Sequence, residues 1–494
     1  MTILQNHQEL LSGNNFCLNS VTIFFKLVIG TPHPNPLPLW ERVRVRGTNN
    51  SNKIINMPKF ELPYNNPIQA DKKILYKNAR IIDPQSGYDK LGELLTIGNK
   101  ITDFGEKILA SDAEIIDCQG FVLAPGLIDI QVHFREPGQT HKEDLSSGSK
   151  SAIAGGITAV VCQPNTSPTI DSVETLEYVK ARALETAHCN ILAYACITKN
   201  MKGEELTDMP SLKKAGAVGF TDDGLPVMNA NLMRRAFENS RELGVVIAQH
   251  AEDLNLTNKG CINEGVVSKQ LGVRGIPNIS ESVIVERDIA ILEATGGKYH
   301  LLHVSTKEAL ETIKRAKDKG LNATVEVCPH HFLLTDQQVL KSGTNAKMNP
   351  PLRSESDRQA LIDGLKSGLI DAISTDHAPH DPASKEKSLQ DATFGIVGVE
   401  TMLPLSLRLY HQGVLSLKDL LAKMTCNAAK IINFDGGVIK KGARADLTLI
   451  DLNSEWEIDS QKFYSKSKNS PFDGFKVKGR AVRTIVAGKT VYEI

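Results

Sequence analysis

Five side chains in this 494-residue chain are of the types that hold a divalent metal ion: His133, Asp223, His250, His303 and Asp376. Each stands at the end of an apolar, strand-like run. The first run ends Gln131-Val-His133-Phe-Arg135 and the fourth Thr221-Asp222-Asp223-Gly224; the fifth ends Gln249-His250-Ala-Glu-Asp253 and the sixth His303-Val-Ser305. The seventh ends Cys328-Pro-His330-His331, and the eighth Thr375-Asp376-His377-Ala-Pro-His380. A single histidine at a strand end is ordinarily a packing or surface residue. Here seven of the 13 histidines fall at five such ends, a clustering that independent placement does not produce. Imidazole and carboxylate together suit Zn²⁺ or a similar borderline ion, and an open coordination position on such an ion supports hydrolysis. The residues therefore predict a metal-dependent hydrolase.

Bringing such residues together requires strands that end on one face. Eight buried-type runs serve: Leu127–Phe134, Thr158–Gln163, Ile191–Ile197, Ala217–Thr221, Val245–Gln249, Tyr299–Val304, Ala323–Val327 and Ile370–Ser374. Helical patterns lie between most of them, over Val173–Thr186, Leu232–Leu243, Ser282–Thr295 and Lys307–Lys319. This alternation predicts an α/β fold, a TIM-type (β/α)8 barrel over residues 124–435, whose strand ends share one mouth. No glycine-rich phosphate loop of either common type opens these helices, which makes a nucleotide-binding sheet the weaker alternative. Short β-like runs at both ends (residues 57–123 and 436–494) predict a small β-sandwich domain built from both ends of the chain. Residues 1–56 differ: prolines alternate from Thr31, a basic stretch reaches Gly47, and the expectation is a leader outside the fold.

Composition narrows the partners. Fifty-seven basic and 57 acidic residues give a formal net charge of zero, with no basic stripe among aromatics, so neither nucleic acid nor another polyanion is expected to bind. Eight scattered cysteines without a C-x-x-C pair read as filler in a reducing compartment. The apolar run Val21–Ile29 is short and broken by Lys26, which predicts neither a signal peptide nor a membrane span. The expected location is the cytoplasm.

The stretch Pro125-Gly-Leu-Ile-Asp-Ile-Gln-Val-His-Phe-Arg-Glu-Pro-Gly138 resembles the strand-one motif of the amidohydrolase superfamily. With Gln163-Pro-Asn-Thr166, Asn349-Pro-Pro-Leu-Arg353 and Thr375-Asp-His-Ala-Pro-His380, residues 73–494 resemble the dihydroorotases of the long bacterial type. Hydantoinases and allantoinases share the first motif; the last two together are more specific. The resemblance implies one or two Zn²⁺ per chain, with His133 and Asp376 on the first metal and His250 and His303 on the second. It makes Asp223 the bridge, where several relatives use a carboxylated lysine. It implies substrate contacts from Arg135, Asn165, Asn349 and His380, and from the main chain at Phe394-Gly395. Asp376 is the implied proton carrier, and the implied reaction is reversible hydrolysis of dihydroorotate to N-carbamoyl-aspartate in pyrimidine synthesis. A small-molecule substrate is thus expected, and the candidate protein partners are a second copy in a homodimer and aspartate transcarbamoylase.

One position departs from the pattern: the family's His-x-His reads Gln131-Val-His133 here. A neutral amide is a poorer zinc ligand than imidazole, so the first site is expected to be weak. Two alternatives stand beside the dihydroorotase reading: a related cyclic amidase of hydantoinase or allantoinase type, which shares the first motif, and a catalytically inactive scaffold for aspartate transcarbamoylase, which rests on Gln131 alone. Other features carry smaller expectations. Residues Asp381–Asp391 read as a solvated loop or a mobile lid. His330 and His331 read as packing or supporting groups, Asp222 as a supporting or capping carboxylate, and Glu252 and Asp253 as residues that orient neighbours or cap a helix.

Overall fold

Runs buried on both sides dominate the middle of the chain. In the computed structural model, which describes residues 60–494, Leu127–Val132 and Ile157–Cys162 are buried at every position. This is the pattern of parallel strands covered by helices on one side and packed side chains on the other. Before them the chain forms β1 (Lys73–Asp83), β2 (Tyr88–Ile97), β3 (Lys100–Gly105), β4 (Glu114–Asp117) and β5 (Val122–Pro125). The middle then runs through β6 (Leu127–Val132), β7 (Ile157–Cys162), β8 (Asn190–Ala193), β9 (Gly219–Phe220) and β10 (Val246–Gln249). After the short pair β11 (Ile262–Asn263) and β12 (Gly275–Ile276) come β13 (Tyr299–Leu301), β14 (Ala323–Val327) and β15 (Ala372–Ile373). The chain closes with β16 (Leu447–Glu457), β17 (Lys476–Val486) and β18 (Lys489–Glu493).

Strands β6, β7 and β8 pair in parallel, as do β9, β10, β13, β14 and β15 in turn. Two isolated parallel bridges connect these groups, Ala195 with Phe220 and Val132 with His377. All eight runs expected from the sequence form strands or strand ends, and the four expected helices appear. Those over Val173–Thr186, Ala230–Leu243 and Lys307–Asp318 begin at Ser172, Asn229 and Thr306, whose side chains accept amide protons of the first turn.

The two ends of the chain share one sheet, in the order β18-β17-β16-β5-β1-β2-β3 with β4 on β1. Strand β5 joins them: it lies parallel to β1 and antiparallel to β16, then runs through Gly126 into β6. A Cβ at Gly126 would stand 2.1 Å from Thr158 Oγ1, so only glycine permits that closeness. Residues from Asn56 onward form a single compact unit, so the terminal sheet and the parallel strands are not separate by contact.

Three features differ from the sequence expectation. Within residues 57–123 the sequence shows two separate β-like runs, Ile74–Tyr76 and Ala79–Ile82; they are one strand with a shifted register between Tyr76 and Ala79, and Asn78 takes the left-handed conformation (φ 56°) that its short polar side chain tolerates. Strands β11 and β12, in the connection after β10, had no periodic signal. Residues Asp381–Asp391 are not simply a solvated loop: Asp381 caps a helical turn over Pro382–Lys385, and Lys385 is buried. The expected leader, residues 1–56, lies outside the described residues.

Candidate metal centre and substrate pocket

The chain reaches the site through strained backbone. Arg135, His303 and Asp376, each just past a strand end, have φ of 57°, 32° and 49°. Non-glycine residues adopt this region only where surroundings compel it, and such residues gather at functional sites. Beneath them Asp129 ties two strand ends together, accepting from the Gln131 and Thr375 amides and the Thr375 hydroxyl. Burial, partly offset by these hydrogen bonds, holds its carboxyl up at about 7.

All five sequence-predicted ligands converge. His133 Nε2 lies 3.0 Å from Asp376 Oδ1 and 3.2 Å from Asp223 Oδ2. The other Asp223 oxygen lies 3.5 Å from His250 Nδ1 and 3.4 Å from His303 Nε2, and those two ring nitrogens are 2.9 Å apart. Two imidazole nitrogens facing one another beside a carboxylate share either a proton or a metal ion. Burial opposes charge on His133, yet the hydrogen bonds of Asp223 and Asp376 outweigh it and hold the ring up at about 9. Burial likewise opposes charge on His250, but Asp223 and Glu252 hold it up at about 10. Asp223 is itself buried, yet its three histidine partners hold it well below the usual carboxylate range. The donor set thus asks for positive charge, and a divalent ion fits it.

Outer contacts orient the ligands. His133 Nδ1 faces Asn165 Oδ1 at 2.9 Å, which turns its Nε2 toward the carboxylates; His250 Nε2 faces Glu252 Oε2 at 3.0 Å. Asn349 Nδ2 donates to the same Glu252 oxygen at 2.9 Å. Glu252, given only a generic orienting role from sequence, therefore anchors a ligand; its place two residues after His250 was the available signal. Asp222 supports the chain just after β8: it accepts from the amides of Ile197 and Thr198 and from the Thr198 hydroxyl. Asp253 caps the turn Leu254–Thr257.

Gln131 sits at the centre. Its Nε2 is 3.5 Å from Asp223 Oδ2, and its Oε1 is buried without a hydrogen-bond partner among the described residues. That orphan carbonyl oxygen is the ligand-capable atom of the amide. Cys328, His330 and His331 form a further buried group of donor atoms. Burial holds both histidines low, His331 at about 3, and pushes the Cys328 thiol up, so the group has no ready anion to offset an ion.

Above the centre opens a cavity of about 350 Å³, lined by His133, Arg135, Asn165, Asp223, Gly224, His250, Asn349, Asp376, Ala378, His380 and Thr393–Gly395. Every expected substrate contact lines it. Buried Arg135 makes no ion pair among the described residues: its Nε reaches the Pro379 carbonyl at 3.4 Å and one terminal nitrogen lies 3.4 Å from His380 Nε2. Burial pulls Arg135 down to about 10. Burial, with Arg135, Lys142 and Lys385 nearby, holds His380 down at about 2, so this ring is neutral. A buried guanidinium with no carboxylate at ion-pair distance among the described residues, beside a neutral imidazole, could receive a carboxylate.

Comparisons with known proteins agree with this geometry. A family profile described as Dihydro-orotase-like matches residues 120–309, and one described as Amidohydrolase family matches residues 287–492. A dihydroorotase of Wolbachia sp. subsp. Drosophila simulans (strain wRi) is 61% identical over 423 residues, 85% of this chain and 96% of that protein. A dihydroorotase of Geobacter sp. (strain M21) is 47% identical over 421 residues, 85% of this chain and 99% of the relative. The chain belongs to the dihydroorotase family.

Among solved structures, the L-hydantoinase (dihydropyrimidinase) from Arthrobacter aurescens superposes with a TM-score of 0.77 at 26% identity, covering 85% of this chain and 96% of that one. The dihydropyrimidinase from Brevibacillus agri NCHU1002 superposes at 0.74 with 21% identity, covering 85% and 95%, and shows the fold alone. Dihydroorotases are metal-dependent amidohydrolases, and this chain, on a mixed α/β frame, holds candidate metal-binding groups.

Proposed function

We propose that the chain is a working dihydroorotase that interconverts dihydroorotate and N-carbamoyl-aspartate in the biosynthesis of pyrimidine nucleotides. The observation that carries this reading is Arg135: a buried cation without an ion-pair partner among the described residues, on the wall of a cavity whose floor is the His/Asp cluster. A hydantoin or allantoin ring has no carboxylate to place there. In this reading the metal is Zn²⁺. Asp223, His250 and His303 would hold one ion firmly, and His133 and Asp376, sharing Asp223 and helped otherwise only by Gln131, would hold a second more weakly.

When bound, the metal supplies Lewis acidity, polarising a carbonyl oxygen and acidifying water. The chain's own groups do the rest. Arg135, with Asn165 and His380 beside it, receives the ring carboxylate and orients the ring, and the main chain at Phe394-Gly395 meets the ring amide. Asp376 has one oxygen engaged by His133; its carboxylate accepts the proton of the attacking water and returns it to the departing ring nitrogen. The reverse direction uses the same groups in the opposite order.

The remaining assignments belong to the same reading. The eight parallel strands, linked by the bridges at Ala195 and Val132, read as a closed (β/α)8 barrel over residues 124–435, and the shared terminal sheet, from residues 57–123 and 436–494, as part of a small β-sandwich. No helix among the described residues is long and apolar enough to cross a membrane, and a cytoplasmic enzyme, as a homodimer or with aspartate transcarbamoylase, is the reading we favour. The buried Gln131 favours one rival, an inactive scaffold. Dihydroorotate turnover, followed in ultraviolet absorbance on zinc-loaded protein, separates them. Turnover of dihydroorotate with little of hydantoin supports the proposal; turnover of hydantoin alone, or of neither, overturns it.

A further inference from the structure

Two lysines that the chemistry above does not use lie buried behind the pocket. Lys385 Nζ donates to three main-chain carbonyls, those of Lys347 (3.2 Å), Thr393 (2.9 Å) and Gly395 (3.0 Å). Lys347 Nζ donates to three more, those of Leu389 (2.8 Å), Gln390 (3.1 Å) and Ala392 (2.6 Å), and lies 4.4 Å from the centre of the Phe394 ring. Neither makes an ion pair among the described residues. A buried ammonium is costly unless its hydrogen bonds are met, and here each meets three. These carbonyls all belong to Lys347 or to the segment 389–395, whose last three residues line the substrate cavity.

We propose that Lys385, backed by Lys347, is a positioning residue of the substrate pocket: its ammonium gathers the carbonyls of Thr393 and Gly395 from behind and so sets the main chain that meets the substrate ring. The inference rests on the assignment of dihydroorotate as substrate. Other contacts restrain the same segment, and the lysines add to them from the side away from the cavity. The Gly395 amide donates to the Lys347 carbonyl at 3.0 Å, and Asn469 Nδ2 shares the Gly395 carbonyl at 3.0 Å. Gly395 itself has φ 130°, and a Cβ there would stand 2.7 Å from that of Ala378. The turn Pro382–Lys385 is thus the far end of a clamp that turns a polar surface stretch into one wall of the pocket.

The test is Lys385→Met in the full-length, zinc-loaded protein, which keeps the side chain's bulk and removes its three donors. The expected result is a KM for dihydroorotate raised roughly tenfold to a hundredfold, as misplacing a binding group by about 1 Å does, with zinc content unchanged. The Thr393 and Gly395 amides should also exchange with deuterium faster than in the unmodified protein. An unchanged KM, or a fall in kcat alone, overturns the proposal. Should the variant not fold, the unmodified protein decides: Thr393 and Gly395 amides exchanging as fast as those of the exposed residues 386–387 overturn it. Because exchange needs no substrate, it is read separately from the assignment of dihydroorotate, which fails only if the unmodified enzyme does not turn that compound over.

Discussion

Gln131 is the residue on which the chemistry of this chain turns. Its amide stands where the motif that this sequence resembles has imidazole, 3.5 Å from Asp223 Oδ2. An amide carbonyl carries no charge and binds zinc less well than a ring nitrogen, whereas Asp223, His250 and His303 form a complete trio without it. Gln131→His should therefore raise bound zinc from about one to about two ions per chain at a fixed, limiting free zinc concentration. Metal analysis after dialysis checks this, and equal zinc in both proteins would show that Gln131 does not limit the first site. The residue types were legible from the sequence, His133, Asp223, His250, His303 and Asp376 among them. The hydrogen bond from His250 to Glu252 was not, because it depends on how a strand end turns.

At the scale of elements, the mouth stays in place because helices press close behind it. Gly148, in the helix Leu145–Ala154, packs against the strand end that carries His133 and Arg135: a Cβ there would stand 2.5 Å from the Phe134 ring. Gly148→Ala must push Phe134, and with it the backbone between two site residues. Overpacking of this kind costs about 1–3 kcal/mol. The variant should unfold at a lower temperature by calorimetry and bind dihydroorotate more weakly; a variant as stable and active as the parent would show that Phe134 yields freely. The expectation of eight strands and four helices held because a strand buried on both sides is a nearly continuous apolar run, and an amphipathic helix repeats every three to four residues. Strands β11 and β12 have two residues each, too few for any period, and the clamp at Lys385 looked like solvated loop because lysine is rarely buried.

Across the whole molecule, the metal centre links stability to pH. In the metal-free chain His133 and His250 have their pKa raised, to about 9 and about 10, above the ordinary 6.5. Their contribution to metal-free stability is therefore full below pH 6.5 and lost as pH rises through 9 to 10. Zinc needs the same nitrogens without protons, so its affinity changes in the opposite sense and grows with pH over that window. The thermal midpoint of the zinc-loaded protein should draw further above that of the metal-free protein between pH 6.5 and about 9. A gap that is constant or shrinks with pH would mean that these histidines do not exchange protons for metal. By itself the sequence determined the ligand types, the alternation of strands and helices and the motifs that place the chain in its family, since these are local: residue identity, period and short spacing. Only the tertiary structure decided that Asp223 faces three histidines, that Arg135 makes no ion pair among the described residues, that β5 sews the two ends of the chain into one sheet, and that Lys385 turns inward. Each of these is a meeting of atoms distant along the chain, and such meetings follow from how strands close and pack, which no local pattern records.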